Sequence, residues 1–319
     1  MENLVTSFEA VLPLFLMILL GMFLRRIGML EEKVRLSLNK LCFKVFLPIY
    51  LFNNIYSIKD ISQAFDLRLI LFACLGLVAA FLVLMLTIPR IEKENSRRGV
   101  MIQAMFRSNF ALFGLPLAET LCTQEFIGPT SLLLGVTVPI FNILAVIALE
   151  TFRGGKPSVK KMLRGIATNP LIIASLLGIV FYCLKTYAGF RFPDSVYTAT
   201  MVKLGNVATP LSLVALGSQF VFSSVKNFRF QLFLTVLVRL VILPLTMVLI
   251  GVALGLRNEF LVPILIMYGA PTAVSSYPMA QQMGGDSDLA ASAVVFTSGF
   301  AILTIFLFIF GLKTLGLIA

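Results

Sequence analysis

The chain has 319 residues, of which 59% are hydrophobic and 13% charged, and its mean hydropathy is +0.97. Soluble domains run near about 45–50% apolar and about 25% charged, so a water-soluble enzyme and a disordered chain are both excluded. The net charge of +11 has no basic run interleaved with aromatics, which speaks against nucleic acid and for the Lys- and Arg-rich cytoplasmic loops of a membrane protein. There is no His, hence no His catalysis, metal site or pH sensor, and no Trp, which leaves any interfacial belt to 7 Tyr and 29 Phe.

The N-terminus begins Met1-Glu2-Asn3 without a positive region, and its apolar stretch runs from Val11 into Arg25-Arg26 with no small-residue cleavage site. This predicts a retained first span rather than a signal peptide. A hydrocarbon core about 30 Å thick needs about 20 apolar residues as helix. Ten such runs occur, near 5–24, 37–56, 68–89, 99–122, 128–149, 168–188, 198–222, 230–254, 260–282 and 289–312. Lys40, Lys44 and Lys203 fall in the first halves of the second and seventh, whose opening turns are expected along the interface with the Lys stems snorkelling. The connections are short, the longest about 18 residues, so no soluble domain is inserted. Cys42, Cys74, Cys122 and Cys183 show no metal-ligand spacing and read as buried thiols.

With the N-terminus outside, the inner loops carry 15 basic residues: Arg25, Arg26, Lys33, Arg35, Arg90, Lys93, Arg97, Arg98, Arg153, Lys156, Lys160, Lys161, Arg164, Lys226 and Arg229. The outer segments carry 6: Lys59, Arg68, Lys185, Arg191, Arg257 and Lys313. The asymmetry predicts both termini outside the cytoplasmic membrane.

The chain also resembles itself. Pro13-Leu14 recurs as Pro170-Leu171 at an offset of 157, Asp66 through Phe72 as Asn227 through Phe233 at 161, Pro48 as Pro210 at 162, and Pro116-Leu117-Ala118 as Pro278-Met279-Ala280 at 162. Five spans per half is odd, so the halves, 1–152 and 153–319, face opposite ways. The expected fold is therefore an all-α integral membrane protein of ten transmembrane helices in two inverted five-helix repeats. The fourth span contains Asn109, Gly114 and Pro116, and the ninth Gly269, Pro271, Thr272, Ser275, Ser276 and Pro278. Proline removes a donor and crowds the preceding turn, and in hydrocarbon a helix break persists only inside protein or facing water. Pro116 and Pro278 are thus expected to end half-helices near the bilayer middle, with free N–H groups turned to an anion. Pro13, Pro48, Pro139, Pro170, Pro210 and Pro244 read as ordinary kinks.

At these residues the sequence resembles the auxin efflux carrier family, which includes plant PIN proteins and bacterial organic-acid permeases. Asn109, Gly114, Pro116 and Leu117 match its N-x-x-x-x-G-x-P-L motif, and Pro271 through Ala280 looks like the second-half partner. The resemblance implies a scaffold and a transport domain, with the fourth and ninth helices unwound and crossing beside the substrate. The loop after the fifth span is short where many plant members carry a long one, which favours a small carboxylate such as malate or malonate over auxin itself.

Asn109 can donate to a carboxylate. Asn142, with Thr137 about one turn before it, is expected to line the same cavity, along with Thr272, Ser275 and Ser276. Glu119 and its repeat mate Gln281 are candidates for ion coupling. Arg107 and Arg239 are charges within spans, which usually face a cavity or a partner; Arg107, two residues before Asn109, could attract anions, but a salt bridge or an interfacial position is the favoured expectation for it, and Gly284-Gly285-Asp286 is expected in a turn. No acid–base or nucleophile set and no nucleotide motif occurs, so an enzyme is not expected and no cofactor is implied; energy would come from an H⁺ or Na⁺ gradient. The expected function is a secondary transporter for a small organic anion, with the lipid bilayer as its surroundings and a homodimer left open. The alternative is a membrane receptor of the same fold.

Overall fold

The computed structural model describes residues 2–57, 67–110, 124–154, 159–219 and 226–318. Gly114, Pro116, Leu117, Glu119 and Cys122 lie outside the described residues. Helices dominate. In the first half they are α1 Glu2–Arg26, α2 Glu32–Leu41, α3 Leu47–Tyr56, α4 Leu67–Ile91, α5 Asn95–Phe106 and α6 Gln124–Thr151. In the second they are α7 Val159–Thr168, α8 Pro170–Tyr187, α9 Asp194–Tyr197, α10 Lys203–Gln219, α11 Arg229–Leu237, α12 Leu243–Ala253, α13 Asn258–Gly269, α14 Ser276–Gln282 and α15 Ser287–Thr314. Five described helices are long and apolar enough to cross a membrane: Leu67–Ile91, Leu133–Thr151, Pro170–Tyr187, Lys226–Ala253 and Ser287–Thr314.

The membrane character is clearest on α4. Leu69, Ala73, Leu77, Phe81, Leu84 and Ile88 form its buried face, at the three- and four-residue spacing of one helix side. Its opposite face carries Leu75, Leu82, Val83 and Leu86, each more than half exposed. A helix that is apolar all round belongs in lipid.

Three π turns join shorter helices into longer ones: Cys42–Phe46 between α2 and α3, Thr198–Val202 between α9 and α10, and Val238–Ile242 between α11 and α12. The second and seventh predicted spans are therefore continuous with their opening turns, and Lys40, Lys44 and Lys203 stay exposed along them. Pro48 and Pro244 each follow a π turn by two residues. The wider turn relieves the clash between a proline ring and the carbonyl four residues back. Pro170 is a correction to the sequence reading: it opens α8 instead of kinking a span. Asn169 caps that helix, its side-chain oxygen accepting from the Leu171 and Ile172 N–H groups at 2.9 and 3.4 Å. Cys42 is buried and Cys74 half-buried as expected, whereas Cys183 is exposed on the apolar surface of α8.

In packing, α1 lies on α10, α3 on α8 and on α10, α5 on α6, and α12 on α13. Arg97 pairs with Asp286 at 3.1 Å, and the Asp286 N–H donates to the Ser96 carbonyl at 3.0 Å. Asp286 also caps α15 through the Leu289 N–H at 2.9 Å. The turn predicted before it is present, with Gly284 at φ 78°, where a side chain would be strained. These ties hold the start of α5 against the start of α15, above the segment where α5 breaks.

Candidate functional site

Two helices stop at the same place. α5 ends at Phe106, and Arg107 is extended at φ −80°, ψ 110°. α13 ends at Gly269, and Ala270 is extended at φ −62°, ψ 150°. The second break has a local cause, because Pro271 pushes the residue before it out of the helical region. The first has no proline at its edge; it is held from outside. The two extended segments run antiparallel, with an isolated bridge between Ser108 and Thr272. The Asn109 N–H donates to the Pro271 carbonyl at 2.8 Å and the Ala273 N–H to the Arg107 carbonyl at 3.1 Å. Each break thus satisfies backbone groups that the other exposes, which hydrocarbon demands.

Pro278 does not end a half-helix, contrary to the sequence reading. It sits third in α14, in the first turn, where its missing N–H would have had no helical partner. Pro271 is the breaker of the ninth span. Pro278→Ala is accordingly expected to leave uptake within about twofold of wild type, and Pro271→Ala to lower it about tenfold, a difference of about 1.4 kcal/mol. Initial uptake rates at matched expression check both.

Beside the breaks lies a small cavity with about 40 Å³ open to the centres of water-sized molecules. Its polar lining is Arg107, Ser108, Asn109, Asn142, Ser275 and Tyr50. Its apolar walls are Leu47 and Leu51 of α3 and Val138 and Phe141 of α6. Arg107 is buried, with Nη2 donating to Asn142 Oδ1 at 2.6 Å and Nη1 contacting Met279 Sδ at 3.2 Å. Asn142 in turn donates through Nδ2 to Ser175 Oγ at 3.4 Å. Asn109 is 4% exposed, and among the described residues neither its Nδ2 nor the buried Ser108 hydroxyl has a hydrogen-bond partner. No Asp or Glu lines the cavity, and Arg107 has no carboxylate in ion-pair range among the described residues. Among the described residues, the cavity thus presents a buried cation, two unpartnered polar groups and no acid in its lining.

Of the predicted residues, Asn109, Asn142 and Ser275 meet at this cavity. Pro271 lies in the break, its carbonyl taken by Asn109. Thr137 turns away from the lining and bonds back within its own helix to the Leu133 carbonyl at 2.6 Å. Thr272 is a fastener: its hydroxyl donates to the Ala104 carbonyl at 2.7 Å, and its N–H donates to Thr297 Oγ1 at 3.1 Å. Ser276 is buried outside the lining, with an unpartnered hydroxyl. Gln281 contacts Asn39 of α2 and Tyr277, away from the cavity. Among the described residues, the backbone N–H groups of Asn109, Thr272, Ala273, Ser276 and Tyr277 have partners, whereas those expected to be free at Pro116 lie outside the described residues. Arg107 and Ser108 are the residues sequence reasoning undervalued. A charge in the middle of a span, two residues from Asn109, was the available signal.

A helical membrane protein with a cationic cavity at paired helix breaks is of the transport class. Residues 6–309 match the family described as membrane transport protein, and the chain belongs to that family, one of transporters and not of enzymes. It is similar to an uncharacterized transporter of Methanocaldococcus jannaschii, 22% identical over 308 residues that cover 93% of this chain and 96% of the relative. An uncharacterized transporter of Methanothermobacter thermautotrophicus is 24% identical over 291 residues, 90% of this chain and 92% of the relative. A probable auxin efflux carrier component 5a of Oryza sativa subsp. japonica is 24% identical over 151 residues, 44% of this chain and 40% of that protein.

Proposed function

We propose that this protein is a secondary transporter that carries a small organic anion across the cytoplasmic membrane by alternating access. The carrying observation is the buried Arg107 guanidinium in one cavity with the unpartnered Asn109 Nδ2, with no acidic residue in the lining among the described residues. A carboxylate fits that set, accepting from the guanidinium and the amide at once. The name of the rice relative points to the same chemical class, since auxin is a carboxylic acid.

In this reading ten spans form two inverted repeats, and the fourth and ninth cross at their breaks. In support, α5 ends at Phe106 and α13 at Gly269, positions separated by nearly the 162-residue offset of the sequence repeat. The packing of α1 on α10 and of α3 on α8 and α10 supports a scaffold built from both halves, against which the broken helices move. Both termini lie outside. Arg107 and Asn109 face substrate, Asn142 orients Arg107, and Ser275 closes the seat. The apolar walls Leu47, Leu51, Val138 and Phe141 exclude water, which strengthens the ionic contact.

The test is uptake of radiolabelled malate, malonate and an auxin-like acid into proteoliposomes under an imposed gradient. Uptake of at least one supports the reading; binding without uptake would make the protein a receptor. Asn109→Ala is expected to reduce uptake at least about tenfold with little loss of thermal stability, because its buried Nδ2 makes no hydrogen bond among the described residues that the substitution would break. Normal uptake by that variant would remove Asn109 from the seat.

A further inference from the structure

Arg239 lies in the π turn Val238–Ile242, is fully buried, and has no carboxylate within ion-pair range among the described residues. Its guanidinium is spent on backbone carbonyls instead. Nε donates to Ala270 at 2.8 Å and Nη2 to Met267 at 3.2 Å, both at the C-terminal end of α13. Nη1 donates to Phe106 at 2.9 Å and to Met105 at 3.4 Å, at the C-terminal end of α5. One side chain therefore serves both broken helices.

The physics of that place is specific. A helix C-terminus carries a partial negative charge of about half an electron, with carbonyls left unpaired. Here two of them converge in the protein interior. Converging carbonyls of interrupted helices are the setting in which secondary transporters hold a coupling sodium ion. The same charge would repel an anion in the neighbouring cavity unless it were neutralised. At the position equivalent to Arg239 in the first half, by the 161-residue offset of Asp66–Phe72, stands Val78, so a single cation answers both ends.

We propose that Arg239 is a tethered cation. Its guanidinium fills the seat that a coupling metal cation would take between the two helix ends, positions both breaks, and lets the protein work without sodium. This deepens the transport reading, on which its consequence for coupling rests. Arg239 is a positioning residue, acting on the substrate only through the segments that carry Arg107, Ser108 and Asn109.

The experiment is thermal unfolding of purified protein without substrate, in sodium chloride and in choline chloride at equal ionic strength. The wild type is expected to melt at the same temperature in both. Arg239→Ala should melt about 10 °C lower, and millimolar guanidinium or sodium, but not choline, should restore part of the loss. Arg239→Lys, which keeps the charge with fewer and differently placed donors, should fall between them and ignore guanidinium. The cation-specific rescue separates a filled cation seat from generic packing, which no small ion would mend. A sodium-specific stabilisation of the wild type would overturn the proposal. So would an Arg239→Ala variant as stable as wild type, or one whose loss no small cation relieves. If Arg239→Ala does not fold, the wild-type sodium comparison and the Arg239→Lys variant decide. Because unfolding is read without substrate, failure of carboxylate transport and failure of this inference are separate results.

Discussion

Arg107→Gln is expected to weaken carboxylate binding about 100-fold, or about 3 kcal/mol, while the protein still folds. The guanidinium is fully desolvated and meets no acid among the described residues, so its charge is uncompensated until an anion arrives. Charge-assisted contacts in such surroundings carry about 2–5 kcal/mol. Gln keeps an N–H donor near Asn142 Oδ1, which limits damage to the helix pair α5 and α6. It also removes a buried charge, and this offsets part of any structural loss. The affinity ratio between an acid and its neutral amide should collapse with it. Wild type should prefer the acid strongly, and Arg107→Gln should bind the two alike. Titration of purified protein with both ligands reads the ratio directly. An unchanged affinity for the acid would show that the charge faces something other than substrate.

How much of this was legible beforehand depended on whether a signal was local. The helices follow from apolar runs of sufficient length, so α4, α8 and α15 fall within a few residues of the runs that predicted them. The break in the ninth span was also visible, because Pro271 dictates the conformation of Ala270 by sterics alone. The break expected at Pro116 lies outside the described residues, and the break after Phe106 has no such local signal, since nothing in residues 104–108 is a poor helix former of that kind. Its cause is long-range: Arg239 and the strand-like pairing with Pro271 and Ala273. Residue type and place along the span are all that point to Thr137 and Thr272 in the sequence. A hydroxyl in an apolar setting bonds a nearby carbonyl wherever one lies in reach, and both did. A charge within a span faces either a cavity or a partner, and the sequence does not say which holds for Arg107 or Arg239. One found a cavity and the other a ring of carbonyls, distinctions that only tertiary placement draws.

Gly217→Ala is expected to be the most destabilising single methyl on the α1–α10 contact. Without a hydrophobic drive between helices in lipid, such contacts depend on close backbone approach at small residues. A methyl on Gly217 would overlap the Ile18 carbonyl oxygen, and one on Gly21 would overlap the Val214 carbonyl oxygen on the facing helix. Both obstacles are backbone, so no side chain can swing aside and the helices themselves must part. Separation would strain the Arg25 and Arg35 contacts to the Ser218 carbonyl, at 3.3 and 3.1 Å, which fasten the end of α10. Overpacking of this kind costs about 1–3 kcal/mol, here at the upper end, and should lower the melting temperature by about 5 °C or more. Gly311→Ala is the control. Nothing lies within 4 Å of a methyl there, and the gain in helix propensity of about 1 kcal/mol should leave stability equal or higher. The contrast bears on function as well as folding. α10 also packs on α3, which supplies Leu47, Tyr50 and Leu51 to the cavity wall. A shifted α10 should therefore raise the KM for uptake even in the fraction that remains folded. A Gly217→Ala protein with wild-type melting and wild-type KM would mean that α1 and α10 sit further apart than described.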